Sequence, residues 1–343
     1  MLPLQVIVAI KAAISTRKIV RGDRLEFTQE SISAIKPFSS RGPGRGEVVV
    51  DTLYSALNTG TDRATLHCFP GRDVKFPFYP GISGVGKILR KGPDVTTVSV
   101  GDVVAGELAL ASRQRVSARK VARVSPDIDL EDASMLHLCI VAMQGLRLGC
   151  VEPDQRIVVF GQGIIGRLAT LLARALGSQV TCITQSSIKI SKIKEEQWIP
   201  LEHLKERKTL EDLQADVVID ATGNPDVIHD ARAVARPRGR IVLLGSNRGP
   251  TRRFDFNGIP LEKELRIIGA NIRNLGNMSE KGELAYQNEA EFVLNMIRNN
   301  QVSPKTAITM RLSRDSLPEY YNNRLLSDRE NCGIVVRWTD MSY

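Results

Sequence analysis

A β-branched strand pattern that ends in three spaced glycines restricts the fold of this chain more than any other feature. The apolar run 156–160 leads directly into Gly161, Gly163 and Gly166, and an apolar helix pattern over 167–176 follows at once. In this order the first glycine permits a tight turn, the second lets the backbone approach a phosphate, and the third lets helix and strand pack closely. Free N–H groups and the dipole at the helix start favour an anion there. The segment therefore predicts a dinucleotide-binding site; the alternative is an ordinary tight turn.

The character of the chain changes near residue 140. Before it, short β patterns with glycine turns, such as 48–54 and 84–92, predict a β-rich, barrel-like domain. After it, strand patterns rich in Val, Ile and Leu alternate with helix patterns, which predicts a parallel sheet covered by helices on both faces. The expected fold class is therefore α/β, with a doubly wound parallel sheet and a second, β-rich domain.

Local periodicity predicts the other elements. We expect strands at 1–11, 98–106, 180–184, 215–223, 239–246, 265–270, 306–310 and 333–338, and helices at 289–298 and 317–326. A chain of 343 residues is long for one hydrophobic core, which also favours two domains.

Composition excludes several classes of protein. No apolar run reaches the roughly 18 residues that a membrane span needs, so we expect no membrane association. The five cysteines are scattered and form no C-x-x-C motif, which predicts a reduced, cytoplasmic protein without disulfides. The net charge of +9 is spread along the chain and only 5% of the residues are aromatic, so we expect no nucleic-acid partner.

Several short motifs occur in an order that resembles the medium-chain dehydrogenase/reductase superfamily. They are residues 46–50, 80–86, 100–104, the glycine loop at 161–166, residues 220–223 and residues 239–245. The resemblance covers nearly the whole chain. It implies a chaperonin-10-like catalytic domain at residues 1–139 and 275–343, an inserted Rossmann domain at 140–274, and an active-site cleft between them. It also implies a homodimer formed through the edge of the Rossmann sheet.

The ligand positions of the superfamily's catalytic zinc are changed in this chain. Where zinc-dependent members carry a cysteine, this chain has Thr59, and the superfamily's Gly-His-Glu motif appears as Gly81, Ile82 and Ser83. The third ligand position falls at or near residues 137–139, which include His137 and Cys139. One histidine or cysteine cannot hold a catalytic zinc, which needs three protein ligands. The four-cysteine structural zinc loop is also missing. The resemblance therefore implies a zinc-independent member, with no metal.

Residues 56–62 resemble the signature of bacteriochlorophyllide a dehydrogenase and related zinc-free alcohol dehydrogenases. Asn58 is also similar to the asparagine of quinone and enoyl reductases, although those have one residue fewer before the aspartate. The extra residue favours the alcohol dehydrogenase group, without assigning its substrate.

The segment after the second strand of the predicted parallel sheet lacks the carboxylate that holds the ribose hydroxyls in NAD enzymes. Thr184, Ser186, Ser187 and Lys189 stand there instead, and hydroxyl and ammonium groups suit a 2′-phosphate. We therefore expect NADP(H) as the cofactor. The alternative is that the lysines form a solvated helix face and NAD binds without the acid.

Two further groups of residues are expected at the cofactor. Ile164 and Ile165 lie within the glycine loop. The superfamily's loops that border the nicotinamide correspond in this chain to Thr222, Gly223, Leu244, Gly245 and Ser246. The alternative is that these residues only form ordinary turns at strand ends.

Without a metal, a hydroxyl or an imidazole must hydrogen-bond the developing oxyanion and move a proton. Thr61 lies where zinc-dependent members keep the hydroxyl of their proton relay, so it is the first catalytic candidate. Asp62 is interpreted as a structural acceptor. His137 could shuttle a proton, the alternative being a hydrogen-bonded core histidine. Tyr54 could donate from the cleft or simply pack.

These observations predict a zinc-independent, NADP(H)-dependent oxidoreductase that transfers hydride between nicotinamide and a carbonyl/alcohol pair of a small-molecule substrate. One alternative is NADPH-dependent reduction of a C=C bond, as in enone, quinone or enoyl reductases. An alternative of another class is a non-catalytic NADPH-binding or sensing protein.

Overall fold

The computed structural model describes residues 19–29, 32–66, 75–184, 198–200, 210–245, 249–251, 254–275, 285–328 and 330–338. The predicted first strand, 1–11, lies outside this set. The described strands are β1 (Val20–Gln29), β2 (Ile32–Ser40), β3 (Glu47–Leu57), β4 (Ser83–Lys91), β5 (Val103–Gly106), β6 (Arg113–Ser117), β7 (Val121–Arg123), β8 (Arg156–Phe160), β9 (Gln179–Thr184), β10 (Trp198–Pro200), β11 (Ala215–Asp220), β12 (Ala235–Leu243), β13 (Arg266–Gly269), β14 (Met310–Ser313) and β15 (Ile334–Arg337).

The helices within the same residues are α1 (Thr59–Leu66), α2 (Leu130–Ser134), α3 (Leu136–Leu148), α4 (Ile164–Ala175), α5 (Ile228–Val234), α6 (Ile259–Glu262), α7 (Ala285–Arg298) and α8 (Leu317–Glu319). The last continues as a π-helical segment, Tyr320–Arg324. Short 3₁₀ turns lie at Ala118–Lys120, Pro225–Val227, Ile272–Asn274 and Pro304–Ala307.

A six-stranded parallel sheet forms the middle of the chain. Its strand order is β10-β9-β8-β11-β12-β13, and every pair is parallel. The chain therefore adds β9 and β10 on one side of β8, crosses back, and adds β11, β12 and β13 on the other side. Ligands bind in such sheets where the order reverses, beyond the carboxyl ends of the strands. The predicted doubly wound parallel sheet is confirmed.

A seven-stranded sheet combines two stretches of chain that flank the parallel sheet in sequence. Its order is β14-β15-β3-β4-β5-β7, and β6 also pairs with β3. All pairs are antiparallel except β14 with β15. The predicted β-rich part is confirmed, whereas the domain boundaries at 139/140 and 274/275 stay predictions.

Helix α3 joins the cores of the two sheets. Its apolar residues are buried almost all round, and Leu138 shares one continuous hydrophobic cluster with Val85 of β4 and Val159 of β8. A helix that is apolar on all sides is typical of a fully buried position. Residues of both sheets therefore contribute to one hydrophobic core.

Two predicted strands were wrong in part. The predicted strand 306–310 is a 3₁₀ turn, Pro304–Ala307, followed by β14, which begins only at Met310. Proline favours the first turn of a helix, and this preference prevails over the β-branched pattern. Within 98–106 only β5 is a strand, because the N–H of Ser99 donates to Oδ2 of Asp102 (2.8 Å) and closes a turn.

Candidate active site

The glycine loop closes tightly on the neighbouring strand end. Gly161 has φ +84°, and its N–H donates to the carbonyl of Ile183 (2.8 Å). A Cβ at Gly161 would lie 2.8 Å from Cγ2 of Thr222, and one at Gly166 would overlap the carbonyl oxygen of Gly161. A Cβ at Gly163 would meet nothing within 4 Å. Two of the glycines therefore serve internal packing, while Gly163 borders open space.

The start of α4 offers free backbone donors beside that space. Gly163 is the N-cap, and no side chain in the described residues caps the helix. Ile164 is buried and Ile165 is half-buried. Uncapped N–H groups at a helix start bind anions. The arrangement can hold a phosphate at Gly163.

The end of β11 organises two of the loops predicted at the nicotinamide. Oδ1 of Asp220 accepts from the N–H (2.9 Å) and the hydroxyl (2.6 Å) of Thr222. The carbonyl of Asp220 accepts from the N–H groups of Leu244 (2.9 Å) and Gly245 (2.7 Å). Burial raises the pKa of Asp220. Asp220 therefore holds in place the loop that contains Thr222 and the loop that contains Leu244 and Gly245. Gly223, which follows Thr222, has φ +69°.

The segment expected to distinguish NADP from NAD is described only in part. Thr184 is buried at the end of β9, next to the glycine loop. Ser186, Ser187, Lys189 and Ser246 lie outside the described residues.

The side chains at the superfamily's zinc positions already have protein partners. Oγ1 of Thr59 accepts from Nη2 of Arg63 (3.0 Å). The hydroxyl of Ser83 donates to the carbonyl of Ser134 (2.7 Å) in a buried position. Ile82 is aliphatic. A guanidinium on the Thr59 oxygen opposes binding of a cation at the same atom.

Thr61 lies near the start of α1, and its surroundings are anchored to the C-terminal segment. Oδ2 of the buried Asp62 accepts from the hydroxyl of Tyr321 (2.7 Å), as expected for a structural acceptor. The carbonyl of Thr61 accepts from the hydroxyl of Thr65 (2.9 Å). Among the described residues no hydrogen bond engages the Thr61 hydroxyl, and the residue is half-buried. The hydroxyl is therefore available to a ligand.

His137 faces helix α7 instead. Its Nδ1 lies 3.0 Å from Oη of Tyr286, and both rings are buried. Burial lowers the pKa of His137 to about 4, an effect that the charge of Glu107 opposes and that of Lys120 reinforces. The imidazole is neutral near pH 7, and no hydrogen bond in the described part of the chain joins it to Thr61. A shuttle role stays a prediction, while the geometry favours the alternative, a hydrogen-bonded core histidine.

Tyr54 lies on β3, opposite Val85 of β4 and Arg337 of β15. It is half-buried and packs against the core that the two sheets share. Its catalytic role stays a prediction.

Sequence reasoning missed two side chains of the glycine loop and one distant partner. Gln162 lies within the loop and Arg167 directly follows it, and both are almost fully buried. A charged residue in the first turn of a buried helix was the available signal for Arg167. Tyr321 is 259 residues from its partner Asp62, and no local pattern connects them.

The fold combines a Rossmann-like parallel sheet, which carries the glycine loop, with a second and largely antiparallel sheet. A family profile described as "Alcohol dehydrogenase GroES-like domain" matches residues 44–124, and one described as "Zinc-binding dehydrogenase" matches residues 165–287. Together they span more than half of the chain. The chain belongs to the medium-chain dehydrogenase/reductase superfamily of oxidoreductases.

Curated relatives cover most of the chain at low identity. D-xylulose reductase A of Aspergillus oryzae is 25% identical over 334 residues, covering 83% of this chain and 89% of that protein. The 2-desacetyl-2-hydroxyethyl bacteriochlorophyllide A dehydrogenase of Rhodobacter capsulatus is 29% identical over 66% of this chain and 73% of that protein. Acryloyl-coenzyme A reductase of Metallosphaera sedula is 26% identical over 94% of this chain and 99% of that protein.

Solved structures share the fold. A protein of Sinorhizobium meliloti described as a zinc-binding dehydrogenase and bound to NADP superposes with a TM-score of 0.78 at 15% identity, covering 93% of this chain and 99% of that one. An alcohol dehydrogenase of Escherichia coli complexed with NADH gives a TM-score of 0.77 at 17% identity, with the same coverage of each chain. Within the described residues no helix is long and apolar enough to cross a membrane.

Proposed function

We propose that this protein is a zinc-independent, NADP(H)-dependent oxidoreductase that interconverts a carbonyl and an alcohol in a small organic molecule. The observation that carries the proposal is the contrast at α1. The Thr59 oxygen is engaged by Arg63, whereas the Thr61 hydroxyl has no partner among the described residues. This hydroxyl lies two residues after Thr59, the position where zinc-dependent members carry a metal ligand.

A catalytic zinc does not fit the residues at its usual positions. Thr59 and Ser83 are engaged as described, Ile82 has no donor atom, and His137 is bonded to Tyr286. A catalytic zinc needs three nitrogen, sulfur or carboxylate ligands and an open position. No group of three such residues comes together in the described part of the chain.

A nicotinamide dinucleotide does fit the residues present. Gly163 and the uncapped start of α4 would hold the pyrophosphate, while Thr222, Gly223, Leu244 and Gly245 would border the nicotinamide. Structures of the same fold carry NADP and NADH, which supports this class of cofactor. Hydride donation or acceptance is the chemistry that it supplies when bound.

The protein orients the substrate against the cofactor and supplies one proton to the substrate oxygen. In the reducing direction Thr61 donates a hydrogen bond to the substrate oxygen and stabilises the negative charge that develops there; it then passes its proton to that oxygen and takes up a replacement from solvent water. Asp62, fixed by Tyr321, holds the backbone next to Thr61 in place. Such a positioned donor contributes about 10²–10⁴-fold to the rate.

Preference for NADPH over NADH follows from the lack of an acid in the first residues after β9, 185–192. We expect metal-analysed protein to bind NADPH more tightly than NADH in paired fluorescence titrations, and to contain no stoichiometric zinc. A preference for NADH would contradict the cofactor assignment, and stoichiometric zinc would contradict the metal-free site.

Reduction of an activated C=C bond is the second candidate. The similarity to acryloyl-coenzyme A reductase, which extends over 94% of this chain, favours it. Product analysis with a panel of ketones and enones separates the two: the first proposal predicts secondary alcohols from ketones and no saturation of isolated enones. Tight NADPH binding with no turnover on the whole panel would instead indicate a binding or sensing protein.

We also propose a homodimer in the cytoplasm. β13 is an edge strand of the parallel sheet. The exposed Ile267 lies on this strand, and the exposed Leu261 lies in α6, which precedes it in sequence. An apolar edge strand is a ready partner for a second chain. The described cysteines, Cys139, Cys150, Cys182 and Cys332, are free thiols, which supports a reducing compartment. A single 37.8 kDa species in sedimentation at high concentration would contradict the dimer.

A further inference from the structure

Among the described residues, the side chain of Arg167 is buried without a counter-charge. The residue is 4% exposed, and its Nε and Nη2 have no hydrogen-bond partner in the part of the chain that the structure describes. Within the described residues no carboxylate forms an ion pair with it. An arginine stays protonated at every physiological pH, and burying its N–H groups unpaired is costly. Such a residue points to an anion that is bound during function.

Arg167 belongs to the first turn of α4, since its N–H donates to the carbonyl of Gly163 (3.0 Å). Thr170 follows three residues later and therefore lies on the same side of the helix. Its Oγ1 lies 3.4 Å from Sγ of Cys182, on β9. The side chain of Arg167 thus projects from the flank of α4 that faces β9, at the end of the helix where β9 finishes at Thr184.

A second unpaired group lies on this flank. Gln162 is 1% exposed, and its Nε2 donates to Oγ1 of Thr170 (3.4 Å), but its Oε1 has no partner among the residues with described positions. This flank of α4 thus carries the guanidinium of Arg167 and the amide oxygen of Gln162, both without a partner among the described residues. A ribose phosphate satisfies both, because its phosphate accepts from a guanidinium and its remaining hydroxyl donates to an amide oxygen.

We propose that Arg167 is the residue that recognises the 2′-phosphate of the dinucleotide, with Gln162 accepting from the same ribose. The proposal rests on the assignment of NADP(H) above. The carboxyl end of β9 is where this fold holds the adenosine ribose, and a nearby arginine accommodates a 2′-phosphate. The acid that would hold an NAD ribose is missing from residues 185–192, directly after β9. In this proposal the guanidinium of Arg167 contacts the ribose 2′-phosphate from the helix that follows the glycine loop.

The test compares Arg167→Met with Arg174→Met. The second variant loses an arginine from the same helix two turns further from the loop, and so serves as the matched control. Dissociation constants of NADPH, NADH, 2′,5′-ADP and 5′-ADP are measured by titration for both variants and the wild type. Melting temperatures are measured without ligand.

Arg167→Met should weaken binding of NADPH and 2′,5′-ADP by about tenfold to a hundredfold, the range for a lost charge-assisted hydrogen bond. Binding of NADH and 5′-ADP should change by less than about twofold. Arg174→Met should change none of the four appreciably. The ligand-free melting temperature of Arg167→Met should not fall, because the substitution removes an unpaired buried charge.

Three outcomes would overturn the inference. Equal weakening of NADPH and NADH would place Arg167 at the pyrophosphate instead. An unchanged NADPH preference in Arg167→Met would refute its role while leaving the proposed function intact. A wild type that binds NADH at least as tightly as NADPH would overturn the cofactor assignment itself, before any variant is compared.

Discussion

The hydroxyl of Tyr321 donates a 2.7 Å hydrogen bond to Oδ2 of Asp62, and both side chains are buried. The bond connects α1 to the π-helical segment near the end of the chain, across 259 residues. Asp62 directly follows Thr61. The position of the candidate catalytic hydroxyl therefore depends on a contact with the C-terminal segment.

Replacing Tyr321 with Phe should destabilise the protein by about 1–3 kcal/mol, because the buried Asp62 carboxylate loses a donor. Urea unfolding monitored by circular dichroism measures the change. Tyr320→Phe is the matched control: its hydroxyl bonds to Asp328 (3.2 Å), which already accepts from Asn331, so the loss should be smaller. Equal losses in the two variants would argue against a special role for the Asp62 contact.

Removing the Thr61 hydroxyl should impair turnover without impairing cofactor binding. Thr61→Val keeps the shape of the side chain but cannot donate, so kcat/KM for NADPH-dependent ketone reduction should fall by about 10²–10⁴-fold. Thr61→Ser keeps the donor and should retain most of the activity. The NADPH dissociation constant should stay the same in both. Thr61→Val with wild-type turnover would remove this residue from the mechanism.

Alanine substitutions at two glycines of the loop should have different effects, one on NADPH binding and the other on the stability of the fold. Gly163→Ala adds a methyl group in open space, so stability should change little while NADPH binding weakens by about tenfold or more through obstruction of the phosphate. Gly166→Ala drives a Cβ onto the carbonyl of Gly161 and should destabilise by about 1–3 kcal/mol or more. Thermal melting and NADPH titration of both variants check this. Normal NADPH affinity in Gly163→Ala would place the phosphate elsewhere.

His137 should make stability sensitive to acid. Burial lowers its pKa to about 4, whereas an unfolded chain has about 6.5. As the pH falls from about 6.5 to about 4, the unfolded chain takes up a proton that the folded chain excludes, so the free energy of unfolding decreases by a few kcal/mol. Above pH 6.5 this contribution is fully present.

Urea unfolding of the wild type and His137→Gln at pH 7.5 and pH 4.5 isolates this contribution. The wild type should lose more stability between the two pH values than the variant does. The variant should also keep its turnover at pH 7 if His137 is a core histidine. A loss of activity in a folded His137→Gln would revive the proton shuttle.

Strands and loops with strong local signals were predictable from sequence. The glycine loop, the parallel strands around it and the position of α4 follow from short-range spacing, and the structure confirms them. The turn at Pro304–Ala307 was missed because a β-branched pattern continues past a proline that starts a 3₁₀ turn. The β1–β2 hairpin was not singled out, since its alternation is interrupted by charges and a proline at 37.

Side-chain partnerships across long stretches of chain could not be predicted. Tyr286 lies 149 residues from His137, and their contact depends on how α7 packs on α3. Sequence spacing placed His137 near a ligand position, but a shift of about one residue on a helix turns a side chain by roughly 100°. The buried Arg167 was overlooked because the helix pattern around it is otherwise apolar.

The most direct test of a hydroxyl in place of a metal is the turnover of metal-stripped protein. We would measure kcat/KM for NADPH-dependent reduction of a responsive ketone before and after chelator treatment, and again after zinc is added back. We expect the same value in all three samples. Activity that disappears on chelation and returns with zinc would contradict the role proposed for Thr61.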